Sequence, residues 1–326
     1  MRGGPVMDVS IIIVNWHSCR YLRACLASIE RHVDGAEPEI IVIDSGSFDG
    51  CGEMLAAEFP RVRFIQSVHN IGFARANNAA ARVAQGSRLL FLNPDTEIES
   101  PAVQRMAEHL ARCPEAGAVG CRLLNGDGSL QTCCVQPYPT ILGQFLTWHW
   151  LERRAPRWAS PGLAGPLATD AQAFAPVEVV SGACLMVRRS DFERVGGFSE
   201  EYFMYAEDVD LCHKLQQAGR VNHVLPASTV RHYGGGCTEN APSEFSVVMM
   251  RESIWRFLRK SRGRLYGTAY RASLAAAALL RLALLLPIYA VRRAWGGRSR
   301  VPAAPVRKWL AILAWSLGLR RSPRPA

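Results

Sequence analysis

A chain of 326 residues, 49% hydrophobic and 20% charged, has room for one large α/β domain or two modest ones, and its composition excludes a disordered protein. The formal charge of +10 is unevenly placed: from Arg251 onward 17 Lys and Arg face only Glu252, which leaves 21 basic and 27 acidic residues in the first 250. That mildly acidic body excludes a nucleic-acid reader built on it, and no nucleic-acid partner is expected.

Val9 to Val14 is β-branched and almost entirely apolar, as in a parallel strand covered on both faces. A polar turn of Asn15, Trp16, His17 and Ser18 follows, and Leu22, Cys25, Leu26, Ile29 and Val33 then recur at helical spacing. The pattern repeats with a strand at Glu39–Ile43, a loop at Asp44–Gly50 and a helix through Met54–Phe59. A third strand, Val62–Gln66, leads through Asn70, Ile71 and Gly72 into a helix over Ala74–Ala84, and a fourth, Arg88–Leu92, ends in Asn93-Pro-Asp95-Thr-Glu97. Four such passes predict an α/β fold with an open, mostly parallel sheet, right-handed crossovers and helices on both faces. Ligands of such sheets bind beyond the carboxyl ends of the strands, so the site should draw on loops near 15, 44, 70 and 95. No G-x-G-x-x-G or G-x-x-x-x-G-K-[ST] follows any strand, which excludes the usual dinucleotide and P-loop classes.

Ala118–Leu124 reads as a further strand, and Leu124–Leu130 has the turn chemistry of a hairpin, so the sheet is expected to become mixed there. Residues 136–176 read as a long excursion that folds over a ligand. Val177–Arg188 reads as one buried strand with Ser181 and Gly182 in its middle, where a missing side chain admits close backbone approach. After a helix over Arg189–Val195 comes Glu201–Asp210, EYFMYAEDVD, with Glu207, Asp208 and Asp210 within four residues. Three carboxylates so close repel one another unless a helix start, a cation or a proton-transfer task compensates. The helix they open closes at Gly219, Val221–Leu225 is the last strand, and Val230–Gly236 sets His232 before a glycine-rich loop.

The tail differs. Ala272–Val291 is a 20-residue apolar run broken only by Arg281 and Pro287, and Trp309–Leu319 is a second apolar segment between basic pairs. The run is long enough to span a bilayer. A central Arg is costly there, so residues 251–326 read as a helical anchor lying on an anionic membrane surface. The expected division is a domain over 1–240 and this tail over 241–326. Ten cysteines without C-x-x-C or zinc-like spacing read as reduced thiols, and the apolar N-terminal run is too short for a secretory signal. Residence on the cytosolic side follows.

Asp44 closes an apolar strand, with Asp49 five residues on, and a carboxylate so placed accepts hydrogen bonds from a nucleobase or ribose; Asp and Gly at a strand end also make plain turns. Asp95, again at a strand end, suits a divalent cation held through oxygen, and His232 offers an imidazole; a lone histidine before glycines also serves as a plain structural hydrogen-bonding residue.

Seven segments in order, VSIIIVNWHS, IIVIDSGSFDG, HNIGFARANN, LFLNPDTEI, SGACLMVRR, GGFSEEYFMYAEDVDL and VRHYGGG, resemble the family 2 glycosyltransferases, and within them the bacterial rhamnosyltransferase-like branch. The resemblance covers residues 8–240 and implies a GT-A fold, a nucleotide-diphosphate-sugar donor and an inverting transfer. It implies that Asp208 is the catalytic base with Glu207 and Asp210 in support. Asp44 is then the base-binding aspartate, within a donor-binding set of Asn15, Asp44, Asp49, Asn70, Gly72, Asn93, Ser181 and Gly182. Asp95 and His232 would hold Mg²⁺ or Mn²⁺; the family's D-x-D motif reads Asn93-Pro-Asp95 here, one carboxylate instead of two. The implied donor is dTDP-L-rhamnose and the implied acceptor a glycan or polyprenyl-diphosphate-linked glycan of the cell envelope, met at the cytoplasmic face of the membrane. A non-catalytic sugar-nucleotide-binding protein is the alternative, with Asn93 as its support; a nucleotidyltransferase would show a glycine-rich basic loop where Asn15–Ser18 stands.

Overall fold

The structure, a computed structural model, describes residues 8–33, 38–146, 167, 173–234, 244–294 and 304–320. The chain forms two compact units, Met1–Tyr138 with Pro156–Glu239, and Pro139–Ala155 with Asn240–Pro325. In chain order the elements of the first half are β1 Val9–Asn15, α1 Cys19–His32, β2 Glu39–Asp44, α2 Cys51–Glu58, β3 Arg63–Gln66, α3 Phe73–Val83, β4 Arg88–Leu92, β5 Thr96–Ile98, α4 Ala102–Arg112 and β6 Ala116–Leu124. There follow β7 Val135–Gln136, α5 Ile141–Leu146, β8 Ala175–Val177, β9 Val179–Val180, β10 Cys184–Arg188, α6 Arg189–Arg194, α7 Glu207–Gln217, β11 Val221–His232, α8 Glu244–Arg262, α9 Arg264–Ala294 and α10 Ala304–Ser316.

The first unit is built on a nine-stranded sheet of order β3-β2-β1-β4-β10-β6-β11-β5, with β8 on β11. Strands β3, β2, β1 and β4 are mutually parallel, as are β6 and β11, while β10, β5 and β8 run the other way. β1 is buried along its whole length, which is why its sequence reads as a continuous apolar run. On one face Leu22, Cys25, Leu26 and Ile29 of α1 and Val103, Met106 and Leu110 of α4 share a core with Ile11, Ile13 and Leu90. The aromatic cluster of Phe91, Phe192 and Phe198 is also buried, with Phe91 and Phe198 ring centroids 4.7 Å apart. Each such side chain contributes about 1.5–3 kcal/mol by leaving water.

Three expectations change. The hairpin-like turn adds only a bridge, Leu124 to Leu130; the sheet becomes mixed because β10 inserts antiparallel between β4 and β6. The stretch 177–188 is three pieces, β8, β9 and β10, interrupted at Ser181–Gly182. The last strand runs on past Leu225 to His232, with a register shift between Leu225 and Thr229. Pro226, which has no N–H for the ladder, imitates a strand end there, whereas the chain resumes pairing and sets His232 opposite Thr96 of β5. Most of the expected excursion, residues 147–166 and 168–172, and Gly235–Gly236 lie outside the described residues.

In the second unit α8, α9 and α10 pack on one another, burying Phe257, Leu258, Tyr270, Ala278 and Ile312. Its cations lie against indole faces: the Arg281 guanidinium is 4.1 Å from the Trp309 ring centre, and Arg271 is 5.6 and 5.1 Å from those of Trp255 and Trp315. A charge so covered costs an apolar helix less than a bare one. Residues 264–287 of α9 form a segment long and apolar enough to cross a membrane. Among the described nine cysteines all are free thiols.

Candidate functional site

The six strands that run one way end at one rim of the sheet, and the start of β10 and the 125–131 turn join them there. At the β1 and β2 ends, which the register pairs as Asn15 with Asp44, the Asn15 amide donates to Asp44 Oδ1 (2.9 Å) and to both Asp49 oxygens (3.0 and 3.2 Å). Asp44 Oδ2 also accepts from the Ser47 and Phe48 amides at 3.0 Å each and from Gln66 Nε2 at 2.7 Å, and Oδ1 accepts from the Ser47 hydroxyl. Burial alone would raise the Asp44 carboxyl, but the donors, led by Ser47 and Gln66, outweigh it and hold it below its usual value. Asp49 is lowered in the same way, its burial outweighed by Asn15 and the Cys19 and Cys51 groups. One ligand atom each of Asp44, Asp49 and Cys51 lie within 4.8 Å of one another. Burial and the two carboxylates push the Cys51 thiol up, so it keeps its proton, and Asn15 supplies the positive edge between the acids.

Asn70 caps the next loop: its Oδ1 accepts from Ser45 Oγ (3.2 Å) and the Gly72 amide (3.0 Å). Gly72 has φ +81°, and a Cβ there would lie 2.5 Å from the Phe203 carbonyl oxygen. The residue must be glycine for the 70–73 loop to meet the acidic segment, and the Phe73 amide donates to that same carbonyl at 2.8 Å.

Asp95 and His232 meet. His232 Nε2 is 3.3 Å from Asp95 Oδ1 and 3.3 Å from Asn93 Nδ2, and Nδ1 is 2.7 Å from Gln131 Oε1. A carboxylate oxygen beside an imidazole nitrogen, about 3 Å apart, is the spacing of neighbouring ligands on a small divalent ion. The residues fit such a cation. Asn93, which stands where the family's motif has a second carboxylate, points its amide at the imidazole.

Asp208 opens α7 as the expected acidic helix start, but its carboxylate reaches out of the helix. Gly182 N–H donates to Oδ2 at 2.9 Å and Val209 N–H to Oδ1 at 2.8 Å. A Cβ on residue 182 would lie 3.3 Å from Asp208 Cβ; the close approach expected at Gly182 is made by Asp208. Burial pushes the Asp208 carboxyl above its ordinary value, and the Gly182 and Val209 amides only partly restore it. Glu207 is 6% exposed, its Oε2 has no partner, and burial followed by the Asp208 charge pushes it up to about 8. It holds a proton at neutral pH. Asp210 faces inward, accepting from Ser199 Oγ (2.6 Å) and Tyr202 OH (3.3 Å) beside Lys214 Nζ at 3.7 Å. It anchors the segment before α7.

These groups are joined through the backbone. Gly182 holds Asp208, the next residue, Ala183, accepts from the Asn93 amide at 2.9 Å, and Asn93 reaches His232 and thereby Asp95. Ser181 keeps its Oγ for the Ala183 amide (3.3 Å), within its own turn. Reasoning from sequence did not single out Gln66, Ser47 or Gln131. Gln66, the last residue of β3, could have been found from its register opposite Asp44; Gln131, 101 residues from His232, leaves no signal.

Residues 10–196 match the family described as Glycosyl transferase family 2. The N-acetylglucosaminyl-diphospho-decaprenol L-rhamnosyltransferase of Mycobacterium tuberculosis is 30% identical over 241 residues, 70% of this chain and 75% of that protein. Rhamnosyltransferase WbbL of Escherichia coli is 30% identical over 169 residues, 50% of this chain and 61% of that one. Among solved structures, the mannosyltransferase PcManGT from Pyrobaculum calidifontis, in complex with GDP-Man and Mn²⁺, matches with a TM-score of 0.56 at 17% identity, over 98% of this chain and 90% of that one. The sheet and its neighbours are those of the GT-A fold. A purely binding protein is not favoured, because the matching family and the relatives just named are glycosyltransferases. The chain belongs to glycosyltransferase family 2 and is a nucleotide-sugar glycosyltransferase.

Proposed function

We propose that the protein transfers L-rhamnose from dTDP-L-rhamnose, with inversion, to a hydroxyl of a polyprenyl-diphosphate-linked glycan in cell-envelope polysaccharide synthesis. The donor and acceptor classes are supported by the mycobacterial relative, whose name specifies an L-rhamnosyl transfer to a diphospho-decaprenol lipid. The observation that carries the site assignment is the bonded path from Asp208 through Gly182, Ala183 and Asn93 to His232 and Asp95. It supports reading a base and a cation position on one rim.

In this reading the nucleoside lies among the loops at 15–18, 44–50 and 66–72, and a nucleobase or ribose donor reaching Asp44 takes the place of Gln66 Nε2. Asp95 and His232 would hold Mg²⁺ or Mn²⁺, which would offset the charge of the diphosphate leaving group. Asp208 accepts the proton of the acceptor hydroxyl. Its raised pKa makes it a better base than an exposed aspartate. The two amides on Asp208 fix its direction, and Glu207, protonated beside it, adds no second negative charge to repel the deprotonating acceptor. Asp210 keeps α7 in place through Ser199 and Tyr202. Residues 251–326 are the proposed contact with the anionic cytoplasmic leaflet, supported by 17 basic residues and by the exposed Leu279, Leu280, Leu284 and Leu286 of α9.

Thermal unfolding of the purified protein against a panel of nucleotide sugars tests the donor. The expected result is a rise in Tm with dTDP-L-rhamnose that grows on adding Mn²⁺, as binding to the native state requires. Equal shifts with every nucleotide sugar, or a shift only with a different nucleotide, would remove the rhamnose assignment.

A further inference from the structure

The turn between β6 and β7 carries polar side chains at every second position, Asn125, Asp127, Ser129 and Gln131, and these form one hydrogen-bonded row ending at His232. Ser129 Oγ donates to Asp127 Oδ1 at 2.6 Å, Asn125 Nδ2 to Ser129 Oγ at 2.9 Å, Gln131 Nε2 to Asn125 Oδ1 at 3.1 Å, and Gln131 Oε1 faces His232 Nδ1 at 2.7 Å. The direction of every bond follows from the first. An ionised carboxylate can only accept, so the single Ser129 proton goes to Asp127. The Ser129 oxygen must then accept, which turns the Asn125 NH₂ toward it and the Asn125 oxygen toward Gln131. That in turn aims the Gln131 NH₂ at Asn125 and its oxygen at His232, where Nδ1 must donate. Gln131 Nε2 also lies 3.4 Å from the His232 carbonyl oxygen, which again requires a donor at that end.

We infer that the Asn125–Gln131 turn is a positioning device that holds His232 as its Nδ1–H tautomer and so turns the Nε2 lone pair to the cation position beside Asp95. Nε2 itself faces two groups at 3.3 Å, the Asn93 amide nitrogen, which suits a lone pair, and Asp95 Oδ1, which suits a proton or a shared cation, so the row from Asp127 is what places a proton on Nδ1. The tautomer assignment stands on these bonds alone, and its purpose rests on the proposed reading of Asp95 and His232 as cation ligands. Ligating histidines are commonly fixed by a partner on the other ring nitrogen, and loss of such a partner typically costs about 10–100-fold in metal affinity. Asp127 and Ser129 are exposed while Gln131 is partly buried, so water can replace the far end of the row more easily than the near end.

The test compares Gln131→Leu with Gln131→Glu in the full chain. Glu keeps an oxygen for Nδ1–H but loses the donor that braces Asn125, so it separates tautomer control from scaffolding. Long-range ¹H–¹⁵N spectra of the metal-free protein, with His232 identified by the signal lost in His232→Ala, are expected to show Nδ1–H in the wild type and Gln131→Glu and a mixture in Gln131→Leu. Mn²⁺ titrated in the presence of dTDP and followed by electron paramagnetic resonance is expected to bind about 10–100-fold more weakly to Gln131→Leu and near wild-type strength to Gln131→Glu. An Nε2–H signal in the wild type, or Gln131→Glu as damaged as Gln131→Leu, overturns the inference. Unchanged Mn²⁺ binding in His232→Ala would instead remove His232 from the cation site, leaving the tautomer result to be judged by the spectra.

Discussion

Asp44 and Asp208 are the same residue type on the same rim, and their surroundings drive them apart. Asp44 accepts from Asn15, Gln66, Ser47 and the Phe48 amide and is held below its usual pKa. Asp208 has two amide donors, and burial wins. Counting acids in the sequence cannot separate them; counting donors can. One carboxylate is fixed as an anion around which loops are tied, and the other is left with affinity for a proton. Divergent environments of this kind are how one site assigns different work to chemically identical groups.

The strongest challenge to that contrast is Asp208→Asn. Transfer is expected to fall by about 10²–10⁴, read from initial rates at saturating donor, while donor binding by calorimetry stays within a few-fold. An active variant would make Asp208 a second tie instead of a base. Next in size is Asp44→Asn, which turns an acceptor into a donor facing Gln66 or two amides. A loss of about 2–3 kcal/mol in urea unfolding is expected, and a stable variant with lost activity would place Asp44 on Asp208's side of the comparison.

Glu207→Gln gives the smallest effect and the clearest sign. Folded Glu207 titrates near 8 against 4.5 for an ordinary glutamate, so between those values the native state binds more protons than the unfolded state. Its contribution to stability is therefore complete below about pH 4.5 and is lost as the pH rises toward 8. Gln cannot ionise. The variant is expected to match the wild type near pH 4 and to exceed its Tm near pH 8.5, with the gap opening as the pH rises between the two, as followed by circular dichroism. A difference of equal size at both pH values would show that packing, not ionisation, separates them.

The first strands were legible because β1, β2 and β4 are buried on both faces and therefore written in apolar runs. The acidic helix start was legible for the opposite reason: Glu207, Asp208 and Asp210 have no place in a core without a special cause. What was hidden is pairing at a distance. Nothing in residues 177–188 says that β10 runs antiparallel to β4, and Pro226 conceals that β11 continues to His232. Gly182 announced a close approach, while its partner, 26 residues on, could be found only in space. Gln131 is an ordinary turn residue until the fold sets it against an imidazole.

Among the described residues four non-glycine positions have left-handed backbones: His17, Phe48, Tyr205 and Ala206. They lie in the three loops that follow Asn15, precede Asp49 and precede Asp208. Such conformations cost roughly 1–2 kcal/mol each, and the bonds around them must hold each loop against its own tendency to relax. The rim is thus pre-tensioned, much as a drumhead is, and its shape depends on what clamps it. Trimming a clamp such as Tyr202 or Gln66 would slacken the loop beyond it as well as remove one contact, so damage at the rim should spread along the chain further than distance alone suggests.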